Sequence, residues 1–150
     1  MSDSGQQLWH AAGAGDEGRV SELLAVDGIN VNYKSRNGWS PLHIAAFKGH
    51  AHIIRLLHQA GAELESRTDS GWTPLHRAGL WGRRECAALL LQLGAKINSL
   101  DQDNNTPLHE ACRGGEADTT KLLIECGANT EANNKQGQTP RDLSSRQASN

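Results

Sequence analysis

Histidine and cysteine have the most chemical reach in this chain, and their spacing limits what they can do. The 150 residues include seven histidines and three cysteines. His43, His76 and His109 recur every 33 residues, each closing a Ser/Thr-Pro-Leu-His tetrapeptide. A zinc ion needs each nitrogen ligand at ~2.0–2.1 Å, whereas packed helices lie ~8–10 Å apart. Three histidines on successive stacked helices cannot share one ion. His50, His52 and His58 offer no i,i+4 pair and no cysteine companion, so no metal is expected. The stretch Gly13-Ala14-Gly15-Asp16-Glu17-Gly18 spells G-x-G-x-x-G. A dinucleotide site needs a strand before that motif and a helix N-terminus facing the pyrophosphate. Here the helical Leu8-Trp9-His10-Ala11-Ala12 precedes it, and Asp16 and Glu17 would repel phosphate, so an inter-helix turn is the reading. No Ser, His and Asp arrangement stands out, and the cysteines lack an evident basic activator. No catalytic residue and no cofactor are assigned, and an enzyme is not expected.

The interval that spaces these histidines also orders the rest of the chain. Pro41, Pro74 and Pro107 share it, and Pro140 opens a further, degenerate copy. A fixed period of this size marks a stacked array. In each copy Gly38, Gly71 or Asn104 suits a turn at positive φ. Ser40, Thr73, Thr106 and Thr139 can cap helices that begin with proline, whose missing N–H costs nothing there. Gly49, Gly82 and Gly115 end those helices. Second apolar segments follow at 53–57, 86–91 and 119–124, stopped by Gly61-Ala62, Gly94-Ala95 and Gly127-Ala128, where glycine can take the left-handed cap. Such a unit cannot bury its apolar face alone and must stack on neighbours.

These motifs resemble the ankyrin repeat. Its pattern of turn glycine, Thr-Pro-Leu-His, Ala-Ala, Gly-His, Leu-Leu and Gly-Ala is met nearly in full by residues 35–67. Residues 68–100 depart from it at Gly79 and Arg83, and residues 101–133 at Cys112 and Glu116. Residues 6–34 keep Ala11-Ala12, Gly15-Asp16 and Leu23-Leu24 in phase but carry Gln7 where proline belongs, so they read as a cap. Residues 134–148 open another repeat with Gly137-Gln138-Thr139-Pro140, then put Arg141 and Asp142 in place of Leu and His and lack a second helix. The resemblance implies an all-α repeat solenoid of stacked helix-turn-helix units with β-hairpin or loop tips. One domain over residues 1–150 is expected, with three full repeats between a cap and a half repeat. The resemblance also implies that each repeated imidazole bonds within its own turn and to the next repeat. Asn32 and Asn98, with Leu24 and Leu90 eight residues earlier, resemble the hydroxylated asparagines of some ankyrin proteins. A side chain bracing the hairpin is the simpler expectation.

Composition bounds the rest. Aromatics are only 4% of the chain, so the core must come from Leu, Ile and Ala. A formal net charge of −2 and a pI near 6.4 give no reason to expect nucleic acid or an anionic membrane as partner. No apolar run approaches the ~18 residues of a spanning helix. Met1-Ser2-Asp3-Ser4-Gly5 carries no basic and apolar signal region, so the cytoplasm or the nucleus is expected; a monomer is expected as well. Register puts Cys86 and Cys112 at packed positions and leaves Cys126 exposed. Thr119 and Thr120 stand where the second unit has Ile53 and Ile54, so the C-terminal end should fray first.

In the family, ligands usually meet the concave face, formed by the hairpin tips and the open side of each first helix. Carried over by register, this implies Arg36, Trp39, Phe47, Lys48 and Arg67 from the second unit. The third supplies Asp69, Trp72, Leu80, Trp81 and Leu100, and the fourth Asp103, Asn105 and Arg113. Trp39, Phe47, Trp72 and Trp81 are four of the chain's six aromatic residues. Aromatic side chains are enriched at binding hot spots, and a contiguous exposed apolar patch marks an interaction site. Trp39 and Trp72 also have a packing reading, against neighbouring hairpins, while Phe47, Leu80 and Trp81 should lie open. Arg36, Lys48, Arg67, Arg77 and Arg84 against Asp69, Asp101, Asp103 and Glu110 make a mixed rim, which favours a protein or peptide over nucleic acid. The expected function is a non-catalytic protein-interaction module (adaptor, scaffold or inhibitor) working mainly through repeats two and three. An interaction arm of a larger multidomain protein is the alternative, with an enzyme or cofactor carrier a distant third.

Overall fold

The computed structural model describes residues 3–148. Nine α-helices occur among them: α1 Ser4–Ala14, α2 Glu17–Leu24, α3 Pro41–Lys48, α4 Ala51–Gln59, α5 Pro74–Leu80, α6 Arg84–Leu93, α7 Pro107–Arg113, α8 Ala117–Glu125 and α9 Pro140–Ala148. The first eight run as four helix-turn-helix pairs, α9 packs on α7, and each odd-numbered helix packs on the next odd one, each even on the next even. The odd row is the more closely packed of the two, and we call it the inner row. The fold is an all-α repeat solenoid.

The start of each inner helix explains the repeat. The hydroxyls of Ser40, Thr73 and Thr106 accept the backbone N–H of His43, His76 and His109 at 3.2–3.3 Å. In return each imidazole Nδ1 accepts the cap residue's own N–H at 3.0–3.1 Å. This reciprocal box satisfies two helix-end donors and fixes the tautomer, because an accepting Nδ1 leaves the proton on Nε2. The Nε2–H then donates across to the next repeat: His43 to Trp72 O at 2.7 Å, His76 to Asn105 O at 2.8 Å and His109 to Gln138 O at 2.8 Å. Each histidine thus bonds within its turn and to its neighbour, as the family resemblance implies. In the cap, Gln7-Leu8-Trp9 stands where the others have Pro-Leu-His. The indole Nε1–H of Trp9 makes the equivalent bond, to Trp39 O at 3.0 Å.

The tips are loops, with no strand among the described residues. Ser35, Thr68, Asp101 and Asn134 close them by accepting the N–H four residues on. Backbone bonds from Asp69 to Asn37, Gln102 to Ser70 and Lys135 to Asp103 tie each tip to the next. Gly71 has φ +82°, and a Cβ there would lie 2.9 Å from the Gln102 nitrogen. Asn104 takes the same left-handed conformation at φ +60°, which asparagine tolerates best after glycine. Asn32 and Asn98 brace the loops: their Oδ1 atoms accept the N–H of Glu63 and Asn129, each at 2.9 Å. Two departures from the repeat pattern also have reasons. Arg83 Nε donates to Phe47 O at 2.9 Å, doing what His50 does toward Gly13 O. Gly79 lets α5 meet α7 closely, since a Cβ there would lie 2.9 Å from Pro107 O.

One apolar core runs the length of the stack, from Leu8 through Leu42, Leu57, Leu75, Leu90, Leu108 and Leu123 to Leu143. Cys86 and Cys112 belong to it, and Cys126 is exposed. Burial, with Glu85 beside it, pushes the Cys86 thiol up to about 11.

Candidate interaction face

The inner row and its tips carry most of the chain's aromatic surface. Trp39 and Phe47, at the two ends of the α3 unit, meet edge to face at 5.4 Å between ring centroids. Phe47 then meets Trp81, just past the end of α5, edge to face at 5.0 Å. Offset and T-shaped pairs of this kind add to the area they bury. The row is partly covered at Trp39 and Phe47 and opens at Trp81, which is 48% exposed. Neither Phe47 nor Trp81 is sealed inside the protein. Leu80 is half-buried beside Trp81, and Leu100 is exposed on the following tip. Lys48 lies exposed, its Nζ 5.7 Å above the Phe47 ring.

The other expected residues divide in two groups. Arg36 and Asp69 are exposed on the tips, as is Arg67, whose Nη1 donates to the carbonyls of Gly71 and Leu100. Lys34 makes the corresponding bond one repeat earlier, from Nζ to Arg67 O at 2.7 Å. Asp103, Asn105 and Arg113 belong instead to a groove of about 270 Å³ further along, completed by Asn134, Lys135 and Gln136. Asn105 departs from expectation. It is buried at 8% exposure, because its side chain accepts Asn134 Nδ2 at 3.0 Å and its backbone serves His76, so it lines the groove with little surface of its own.

The expected mixed-charge rim is also corrected. Arg77, Asp101 and Glu110 are buried, at 4%, 6% and 1% exposure, and Arg84 lies on the outer helix α6. Asp101 is consumed by the N–H groups of Asp103 and Asn105, at 2.8 and 2.9 Å. Arg77 and Glu110 occupy the register position that Ile44 and Leu143 fill with apolar side chains. That register was the signal available in the sequence. Arg77 lies with its Cζ 3.6 Å from the Trp72 ring centroid and 5.9 Å from that of Trp39. Trp72 thereby takes its packing reading: its ring roofs a buried cation of the same chain. Arg77 Nε and Nη2 and Glu110 Oε1 have no hydrogen-bond partner, while Glu110 Oε2 accepts from Arg113 Nη2. Burial draws the Arg77 guanidinium down to about 10 and pushes the Glu110 carboxyl up, against the pull of Arg113 and Arg77.

Charge is segregated between the two sides of the stack. On the inner helices and tips the exposed cations are Lys34, Arg36, Lys48, Arg67, Arg113, Lys135 and Arg141, against Asp3, Asp69, Asp103 and Asp142. The outer helices and their loops carry Asp16, Glu17, Glu22, Asp27, Glu63, Glu65, Glu85, Glu116, Asp118, Glu125 and Glu131 against six cations. The formal net charge of −2 conceals a positive inner side and a negative outer one.

No match emerges from comparison with the curated proteins. A family model described as ankyrin repeats (3 copies) matches residues 8–101 and again residues 93–149. With that match spanning most of the sequence and the paired, capped helices repeating at the same interval, the chain belongs to the ankyrin-repeat family.

Proposed function

We propose that this chain is a non-catalytic adaptor, scaffold or inhibitor that captures a protein or peptide on its inner face, mainly through repeats two and three. Ankyrin repeats are in general protein-interaction modules and a non-catalytic fold. The observation that carries the finer reading is the Trp39–Phe47–Trp81 ladder, which ends on a half-exposed tryptophan beside exposed cations. Aromatic anchors set in partly desolvated surroundings are the usual hot spots, each costing about 2 kcal/mol or more on truncation. Trp81→Ala should therefore abolish capture of a bound protein from cell extract. The melting temperature should hardly move, because Trp81 lies outside the core. Capture retained in full by the variant overturns the assignment of this face.

A further inference from the structure

We infer that the segment taken up on the inner face is an acidic peptide with one or two large apolar anchors. The inference rests on the interaction reading above and adds the chemistry of the ligand.

Among the described residues, Lys34, Arg36, Lys48 and Arg67 have no carboxylate within ion-pair distance. Their own acids are mostly on the other side of the stack. A segment rich in Asp and Glu is thus attracted to the inner face and repelled from the outer one, which steers and orients its approach. Lys48 stands over Phe47, so an ion-pairing group and an apolar anchor point sit side by side. An anchor resting on Phe47 and Trp81 brings neighbouring carboxylates to Lys48, and a longer acidic segment extends toward Arg36 on the tip.

The rings that already have a cation of the chain beside them, Trp39, Phe47 and Trp72, do not suit a cationic ligand. A tryptophan attracts a cation through its π face, but the underside of Trp72 already holds Arg77 at 3.6 Å, with Trp39 the second ring near it. A further cation above Trp72 would face that like charge across one ring. Nucleic acid fits less well than peptide, because Asp69 and Asp103 break the run of cations that successive phosphates would need.

The test uses the full chain and three pools of short synthetic peptides with randomised apolar anchors, flanked by Asp/Glu, by Ser or by Lys. A single-stranded oligothymidylate is the fourth probe, and anisotropy is read at low and at physiological salt. The acidic pool should bind about tenfold tighter than the serine pool and weaken as salt rises. Arg36→Gln with Lys48→Gln should remove most of that advantage without shifting the melting temperature. Serine or lysine pools binding as tightly as the acidic one, oligothymidylate binding as tightly, or no acidic binding at all each overturns the inference. If all three pools bind equally and Trp81→Ala still abolishes it, the charge assignment fails and the face stands. Acidic binding indifferent to Trp81→Ala overturns the face itself.

Discussion

Arg77 and Glu110 show what a single position can hide. Both have the appearance of surface charges, yet both lie where Ile44 and Leu143 pack into the stack. Burying an ion costs several kcal/mol unless its hydrogen-bonding capacity is met, and three of their polar atoms are unmet. Replacing both by leucine should raise stability by about 1–3 kcal/mol, despite the loss of the Arg77–Trp72 stacking. Glu110→Leu alone should lower it, because Arg77 and Arg113 then face each other with no anion between them. Urea denaturation of the three proteins decides; a double variant less stable than the parent contradicts this account. Register alone points Trp81 outward, whereas Phe47, expected open, is partly covered where it packs on the core between Trp39 and Trp81. Asn105 was not legible in the sequence, because its burial depends on Asn134, one repeat away in the stack.

Among the helices, the capping histidines His43 and His76 make stability depend on pH. Burial lowers His43 and His76 to about 4 from an ordinary value near 6.5. Protonating Nδ1 would set an N–H against the cap residue's own N–H and break the box. The unfolded chain binds those protons first, so stability is full above pH 6.5 and lost as pH falls toward 4. The loss should be about 2 kcal/mol per histidine between pH 7 and pH 5, read as a shift in the urea midpoint. A flat profile over that range rules the mechanism out. The contact of α5 with α7 gives a second expectation. Alanine is the better helix former by ~1 kcal/mol, and Ala46 holds the matching position in α3. Gly79→Ala should nevertheless destabilise by about 1–3 kcal/mol, since its Cβ would press on the Pro107 carbonyl and force α5 from α7. A gain in thermal stability would contradict that.

At the scale of the whole molecule, stability in a repeat stack is a sum of unit and interface contributions, so weak units open first. The outer helix α8 buries Thr119, Leu122 and Leu123, where α4 buries Ile53, Ile54 and Leu57. Native-state hydrogen exchange should find α8 opening before α4; the reverse order would show that interfaces outweigh this difference in burial.

The architecture was readable before any coordinates because a repeat array is built from local devices. Caps, proline starts and glycine stops lie within one unit, and each unit states its own helices and its need for a neighbour. The repeated histidine's role was implied by the family resemblance that its motif carries. What the stacking alone determined is whatever depends on residues brought together from different units. The Trp39–Phe47–Trp81 ladder spans two repeats, the burial of Arg77 and Glu110 needs three, and the separation of positive from negative sides needs the whole stack. Each arises from distances between units, and a pattern that repeats along the chain carries no measure of those.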